Sequence, residues 1–283
     1  METMLSAQDP IDHRSAFRFG ANWRRFLSAM DESRIASSVE ALQTALGTSN
    51  LSGKLFLDAG CGSGLSSLAA LRMRASVVSF DYDPESVACA STLKQTYAPG
   101  DGGWQLAHGS VLDSGYLTSL GQFDVVYSWG VLHHTGAMWQ ALDNLLPLVA
   151  PDGALMIALY NDQGWISRYW TFVKRTYVRH PLSRWPWLIF HMPYLYLLRA
   201  LVRRMTGRGA LERGMSLWHD MRDWVGGYPF EVARPEQVLE FLRMRGFELI
   251  RLKTCGGRHG CNEFVFRKRP DAVRAQAAPI REG

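Results

Sequence analysis

Residues 55–71, LFLDAGCGSGLSSLAAL, constrain the fold of this chain more than any other stretch. Apolar residues run into Asp58, glycines follow at positions 60, 62 and 64, and a helix-like pattern starts at Leu65. That is the layout of a buried strand, a tight turn and a helix. In an α/β sheet such a turn is the usual nucleotide site, because a loop without side chains lets backbone N–H groups approach a ligand. A pyrophosphate-binding loop places its third glycine three positions after the second, and here that position is Leu65. The spacing therefore argues against a dinucleotide.

The rest of the chain repeats the same alternation. ASVVSFDYD reads as a strand ending in acid, and Pro84 opens a helix toward Tyr97. WQLAHGS, FDVVYSW and GALMIALY are further strands, separated by helical patterns at 116–120 and 136–149. Residues 31–46 and 235–245 also carry helical spacing, and 246–268 reads as two strands joined by a Gly-rich turn. The pattern predicts an α/β, Rossmann-like, doubly wound and mostly parallel seven-stranded sheet, with a terminal antiparallel hairpin and a helical lid insertion. Five segments follow: an N-terminal helical cap (1–50), the core (51–160), a Trp/Arg-rich insertion (161–234), a helix and hairpin completing the sheet (235–269), and a loose tail (270–283).

The motifs within this frame resemble those of class I S-adenosylmethionine-dependent methyltransferases of the small-molecule branch. Asp58, Gly60, Cys61, Gly62 and Gly64 match the family's first motif, in which the aspartate helps to fix the cofactor's amino group. Asp81, with Tyr82 beside it, matches the acid that accepts both ribose hydroxyls; its distance from the loop suits such an acid. Asp83 is read instead as starting the turn before Pro84. Val111 and Leu112 resemble the residues flanking the adenine ring, and Asp113 the acceptor of its amine. Ser128, Trp129 and Gly130 would run beside the sulfonium. The resemblance implies S-adenosylmethionine as cofactor, its amino-acid end and ribose lying along the glycine loop.

An oxygen or nitrogen acceptor must lose a proton when it is methylated, so a general base is sought. His133 and His134 follow the fourth motif and titrate in the useful range; the alternative is that one packs under the cofactor and the other caps the following helix. A second candidate pair is His219 with Asp220. Tyr160, Asn161, Trp165, Arg168, Trp224 and Tyr228 are expected substrate contacts, the first two at the carboxyl end of the fifth strand. Cys255, His259 and Cys261 share one hairpin turn without a fourth ligand, so no metal site is expected. Phe19 and Trp23 are candidates for a cap over the cofactor.

The insertion bears on the acceptor. Between Tyr160 and Arg213 ten basic residues face only Asp162 and Glu212, interleaved with tryptophans. That composition suits an acidic or aromatic small molecule, an anionic membrane surface or nucleic acid. Ser128-Trp129-Gly130-Val131 stands where relatives that methylate nucleic-acid amines often carry an Asn/Asp-Pro-Pro-Tyr-like sequence, which argues against nucleic acid. Four cysteines make no disulfide framework, no secretory leader is expected, and the setting is read as cytoplasmic. Residues 185–202 are interrupted by Pro186, His191, Pro193 and Arg199, so they are not read as spanning, while peripheral membrane contact stays open. The alternative to an enzyme is a non-catalytic cofactor-binding module docking to a membrane or partner. The oligomeric state is not legible.

Overall fold

The structure, a computed structural model, describes Leu27 and residues 30–193, 224–256 and 260–270. The expected aromatic cap at Phe19 and Trp23, the His219–Asp220 pair, His259 and the tail from 271 onward lie outside the described residues. The elements run α1 (Glu32–Leu46), β1 (Leu55–Ala59), α2 (Leu65–Arg72), β2 (Ser76–Asp81), α3 (Pro84–Tyr97), β3 (Trp104–His108), α4 (Ser114–Ser119) and β4 (Phe123–Trp129). They continue with α5 (Met138–Leu145), β5 (Val149–Tyr160), α6 (Trp165–Arg179), α7 (Arg184–Met192), α8 (Pro235–Arg243), β6 (Phe247–Lys253) and β7 (Cys261–Lys268).

The seven strands lie in the order β3-β2-β1-β4-β5-β7-β6. The first five are parallel, and β7 pairs antiparallel with both β5 and β6. The chain moves outward from β1 to β3, then returns to lay β4 on the other side of β1. The loops after β1 and β4 therefore diverge, which opens a crevice at the carboxyl ends of the strands. Asp58, Asp81, His108, Trp129 and Tyr160 all fall at or next to those ends.

Alternation along the strands fills both faces. Leu57, Phe80, Val126, Ile157, Phe264 and Phe266 pack with α5 and α8, while Phe56, Val77, Val125, Tyr127, Met156 and Val265 pack with α1, α2 and α3. A sheet covered on both sides needs apolar residues at successive positions, which is why these strands read as continuous hydrophobic runs. Trp104 is buried at the start of β3 and donates from Nε1 to Ser79 Oγ at 2.7 Å, so its polar atom is satisfied. Asp31 caps α1 by accepting from the Arg34 N–H, and Asp83 caps α3 by accepting from the Glu85 N–H. β5 is longer than the sequence suggests: it begins at Val149, ahead of Asp152, whose φ is +61°.

Gly64 leads into α2 with φ +80°, and a Cβ there would stand 2.9 Å from the Ala90 Cβ and 3.0 Å from the Trp104 ring. Gly64→Ala therefore combines a left-handed backbone with overpacking, at about 2–4 kcal/mol of stability. Urea unfolding checks this; an unchanged midpoint would contradict the packing described for the loop.

Candidate functional site

The turn after β1 is fastened to the end of β2. The Gly60 and Cys61 N–H groups both donate to the Phe80 carbonyl, at 2.9 and 3.0 Å, and the Gly62 N–H donates to Asp81 Oδ2 at 2.9 Å. Asp81 Oδ1 accepts from the Asp83 N–H at 2.9 Å. Each Asp81 oxygen keeps a second lone pair for a ligand hydroxyl. The glycines do not all serve a ligand. Gly60 is required by Val131, whose methyl carbons would lie 2.5 Å from an added Cβ, and Gly64 by Ala90 and Trp104. Gly62, at φ +54°, is the one whose N–H reaches the acid.

Asp58 is buried at the end of β1 and accepts from Ser67 Oγ at 2.6 Å. Burial pushes its carboxyl up to about 7; the Ser67 hydroxyl opposes the shift and the neighbouring Asp81 charge adds to it. Asp81 is raised by the same burial, against the Asp83 and Gly62 N–H groups. Burial likewise raises the Cys61 thiol, helped by both acids, so it stays neutral. Among the described residues no lysine or arginine forms an ion pair with Asp58 or Asp81. Two buried acids without a protein cation fit a ligand carrying an ammonium and a sulfonium, as S-adenosylmethionine does, and would repel a pyrophosphate.

The remaining cofactor candidates ring the same crevice. Tyr82 is exposed beside His108, whose Nε2 meets the Tyr82 carbonyl at 2.9 Å. Val111 is buried and Leu112 half-buried; Asp113 caps α4, its Oδ1 accepting from the Tyr116 N–H at 2.9 Å. Ser128 is buried and donates to the Ala59 carbonyl at 2.9 Å, which ties β4 to β1 just below the loops. Trp129 stacks on Tyr127 with centroids 5.6 Å apart, and Gly130 has φ +74° with open space where a Cβ would be.

The two histidines differ in what their Nδ1 atoms meet. The Tyr160 N–H donates to His133 Nδ1 at 3.3 Å, so the neutral ring carries its proton on Nε2, a buried atom without a hydrogen-bond partner among the described residues. His134 Nδ1 lies 2.7 Å from the Pro229 carbonyl, which only accepts, so Nδ1 holds the proton and Nε2 the lone pair. Burial lowers both rings, His133 well below its usual value and His134 to about 4. His134 is thus an unprotonated base at neutral pH and His133 a donor.

Tyr160 brings the two rings together: its centroid is 3.8 Å from His133 and 5.5 Å from His134. Its other neighbours are Trp224 at 5.7 Å and Phe230 at 5.1 Å. Asn161 is held in place, with Oδ1 accepting from Asn262 Nδ2 at 2.9 Å. Tyr228 is half-buried in the same returning segment. Trp165 and Arg168 depart from expectation. They lie on the exposed stripe of α6, whereas Trp170, Val173, Lys174 and Tyr177 form the stripe that turns inward. A helix with an inward stripe at this spacing carries 165 and 168 outward, away from Tyr160.

Sequence reasoning passed over two residues here. Lys174 is fully buried on α6; it donates to the Trp224 carbonyl, with Nζ 4.3 Å from the Trp224 ring centre and 4.7 Å from that of Phe230. Burial alone lowers its ammonium to about 7. Glu231 accepts from the Met138 N–H at 3.0 Å at the start of α5, and burial raises it to about 7. Lysine in a basic stretch and a glutamate after an aromatic give no signal of burial; only the return of residues 224–231 onto α6 and α5 creates it.

The Lys174 shift has a sign that stability measurements read. The unfolded lysine titrates near 10.5 and the folded one near 7, so the unfolded chain binds more protons between those values, and wild-type stability rises with pH across that window. Relative to Lys174→Met, wild type is expected to gain stability from about pH 7 to about pH 10 and to stay level below about pH 6. A constant difference in unfolding free energy over the whole range would contradict the burial.

Comparison with known proteins identifies a domain within the chain. A family model described as a methyltransferase domain matches residues 57–155. A ubiquinone biosynthesis O-methyltransferase, mitochondrial, from Schizosaccharomyces pombe is 31% identical over 134 residues, covering 47% of this chain and 47% of the relative. The chain thus aligns with about half the length of that curated relative. Magnesium protoporphyrin IX methyltransferase from Synechocystis PCC 6803, solved with bound SAH, superposes with TM-score 0.50 at 16% identity, covering 93% of this chain and 90% of that one. A [4+2]-cyclase superposes with TM-score 0.50 at 14% identity, covering 77% and 75%. These two structures share the fold. Residues 57–155, which carry the acid-lined loop of β1 and β2, thus match a methyltransferase domain and share the fold of class I, S-adenosylmethionine-dependent methyltransferases.

Proposed function

We propose that the chain transfers a methyl group to an oxygen or nitrogen of a small-molecule metabolite, with a hydroxyl on a flat, aromatic acceptor the preferred case. One observation carries the reading: His134, fixed by the Pro229 carbonyl with its lone pair on Nε2, packs edge-on against Tyr160, which ends β5. Bound S-adenosylmethionine supplies a methyl group already activated on a sulfonium. The protein's part is to align the acceptor and take its proton, and positioning of that kind supplies roughly 7–11 kcal/mol in well-oriented systems. Asp58, Asp81 and the Gly62 N–H hold the cofactor end. Tyr160, Trp224 and Phe230 present aromatic walls to a planar acceptor. His134 Nε2 receives the proton, while the His133 Nε2–H is available to an acceptor oxygen. The Schizosaccharomyces pombe relative is a mitochondrial O-methyltransferase of ubiquinone biosynthesis, which supports the hydroxyl case and lends no support to a cytoplasmic setting here.

The second reading is a cofactor-binding module without methyl transfer that docks to a membrane or partner through the basic, Trp-rich insertion, and the exposed Trp165, Trp185 and Arg168 favour it. Incubation of wild type with methyl-labelled S-adenosylmethionine and a small-molecule extract separates the two. Label is expected in an organic-soluble product, and His134→Ala is expected to lower turnover by about 10²–10⁴-fold while leaving cofactor affinity in place. No label from wild type with the cofactor bound would favour the module, and equal turnover by the variant would remove His134 as the base.

A further inference from the structure

We infer that the outer face of α6 and α7 docks onto an anionic lipid surface. The two helices form one unit on the core. Tyr169 Oη meets His191 Nε2 at 2.8 Å, Arg184 Nε donates to the Tyr177 carbonyl at 3.2 Å, and Leu188 is buried with Trp170 and Val173. What they turn outward is unusual for a protein surface. On α7 Phe190 is 71% exposed, Ile189 67% and Trp185 66%, and Leu182 in the turn between the helices is 93% exposed. Phe172, exposed on α6, packs edge-on against Trp187 of α7 at 6.1 Å, so the two outer faces meet.

The charge on this face has one sign. Residues 165–193 contain no aspartate or glutamate, and Arg168, Arg175, Arg179 and Arg184 are all exposed. On α6 the exposed positions are 165, 168, 172, 175 and 179, a single stripe of two aromatic rings and three guanidinium groups. Single exposed apolar residues are ordinary, but a cluster of large ones edged by arginine marks an interaction surface. Tryptophan and phenylalanine settle at the level of lipid headgroups, and arginines beside them meet the phosphates. Neither helix is long and apolar enough to cross a membrane, so the face lies on the surface rather than through it.

Other occupants fit less well. A second copy of this chain would bring two sets of arginines together with no acid between them, and nucleic acid would pair with the arginines but leave Leu182 and Ile189 in water. The inference rests on composition and exposure alone, and it stands whether or not His134 acts as a base.

Vesicle flotation of the full chain tests it. Wild type is expected to float with phosphatidylcholine vesicles containing about one third phosphatidylserine and to stay behind with phosphatidylcholine alone, with binding weakened by added salt. Trp185→Ser with Phe190→Ser is expected to lower the partition coefficient by about tenfold or more. Arg168→Gln and Arg179→Gln are expected to lower it by about fivefold each. All four side chains are exposed, so thermal melts matching wild type accompany these losses. Three outcomes would overturn the proposal: equal binding to neutral and anionic vesicles or to neither, a dimer in sedimentation that the Trp185→Ser/Phe190→Ser variant abolishes, or retention on RNA without retention on vesicles.

Discussion

The site depends on a small set of backbone hydrogen bonds that join the first loop to the second strand. Gly60 and Cys61 give their N–H groups to the Phe80 carbonyl, and Gly62 gives its own to Asp81. These bonds hold the turn open over the crevice between β1 and β4 and set the acid of β2 beside it. Parallel pairing supplies the depth: Ala59 lies opposite Phe80, and Asp58 is flanked by Ser79 and Tyr127. Every other site residue is positioned relative to this clasp.

Around the crevice, burial drives titratable groups of both signs toward neutrality. Asp58 and Asp81 are raised on the cofactor side; His133, His134 and Lys174 are lowered on the side of Tyr160. Opposite shifts from one cause describe a dry chamber in which an incoming charge is felt strongly. Among the described residues no lysine or arginine pairs with Asp58 or Asp81, an environment that suits a cationic ligand. On the side of Tyr160 a carbonyl and an N–H fix which nitrogen of each histidine carries the proton.

Much of this was legible in the sequence where chemistry and strand order travel together. The glycine loop, Asp81 some twenty residues later, and the strand–helix alternation define the sheet and the cofactor side. The meaning of the individual glycines was not legible. Gly60 and Gly64 answer to Val131, Ala90 and Trp104, contacts made across the fold, and Gly62 alone reaches the acid. Trp165 and Arg168 read as substrate contacts by composition, yet the inward stripe of Trp170, Val173 and Tyr177 turns them out. Pro229, Lys174 and Glu231 acquire their roles only when residues 224–231 fold back onto α6 and α5, a long-range return that no local pattern encodes.

The central claim is that a cation settles beside the buried acids of β1 and β2. Titration calorimetry with S-adenosylmethionine, in two buffers that differ in ionisation enthalpy, tests it most directly. Unliganded Asp58 titrates near 7 and is mostly protonated at about pH 6, where the ligand's amino group is already an ammonium; a neighbouring cation favours the ionised carboxylate, so binding at that pH releases about one proton. The observed heat is expected to differ between the two buffers at about pH 6. Identical heats in both buffers at about pH 6, with the ligand bound, would place the cofactor away from Asp58 and contradict the site described.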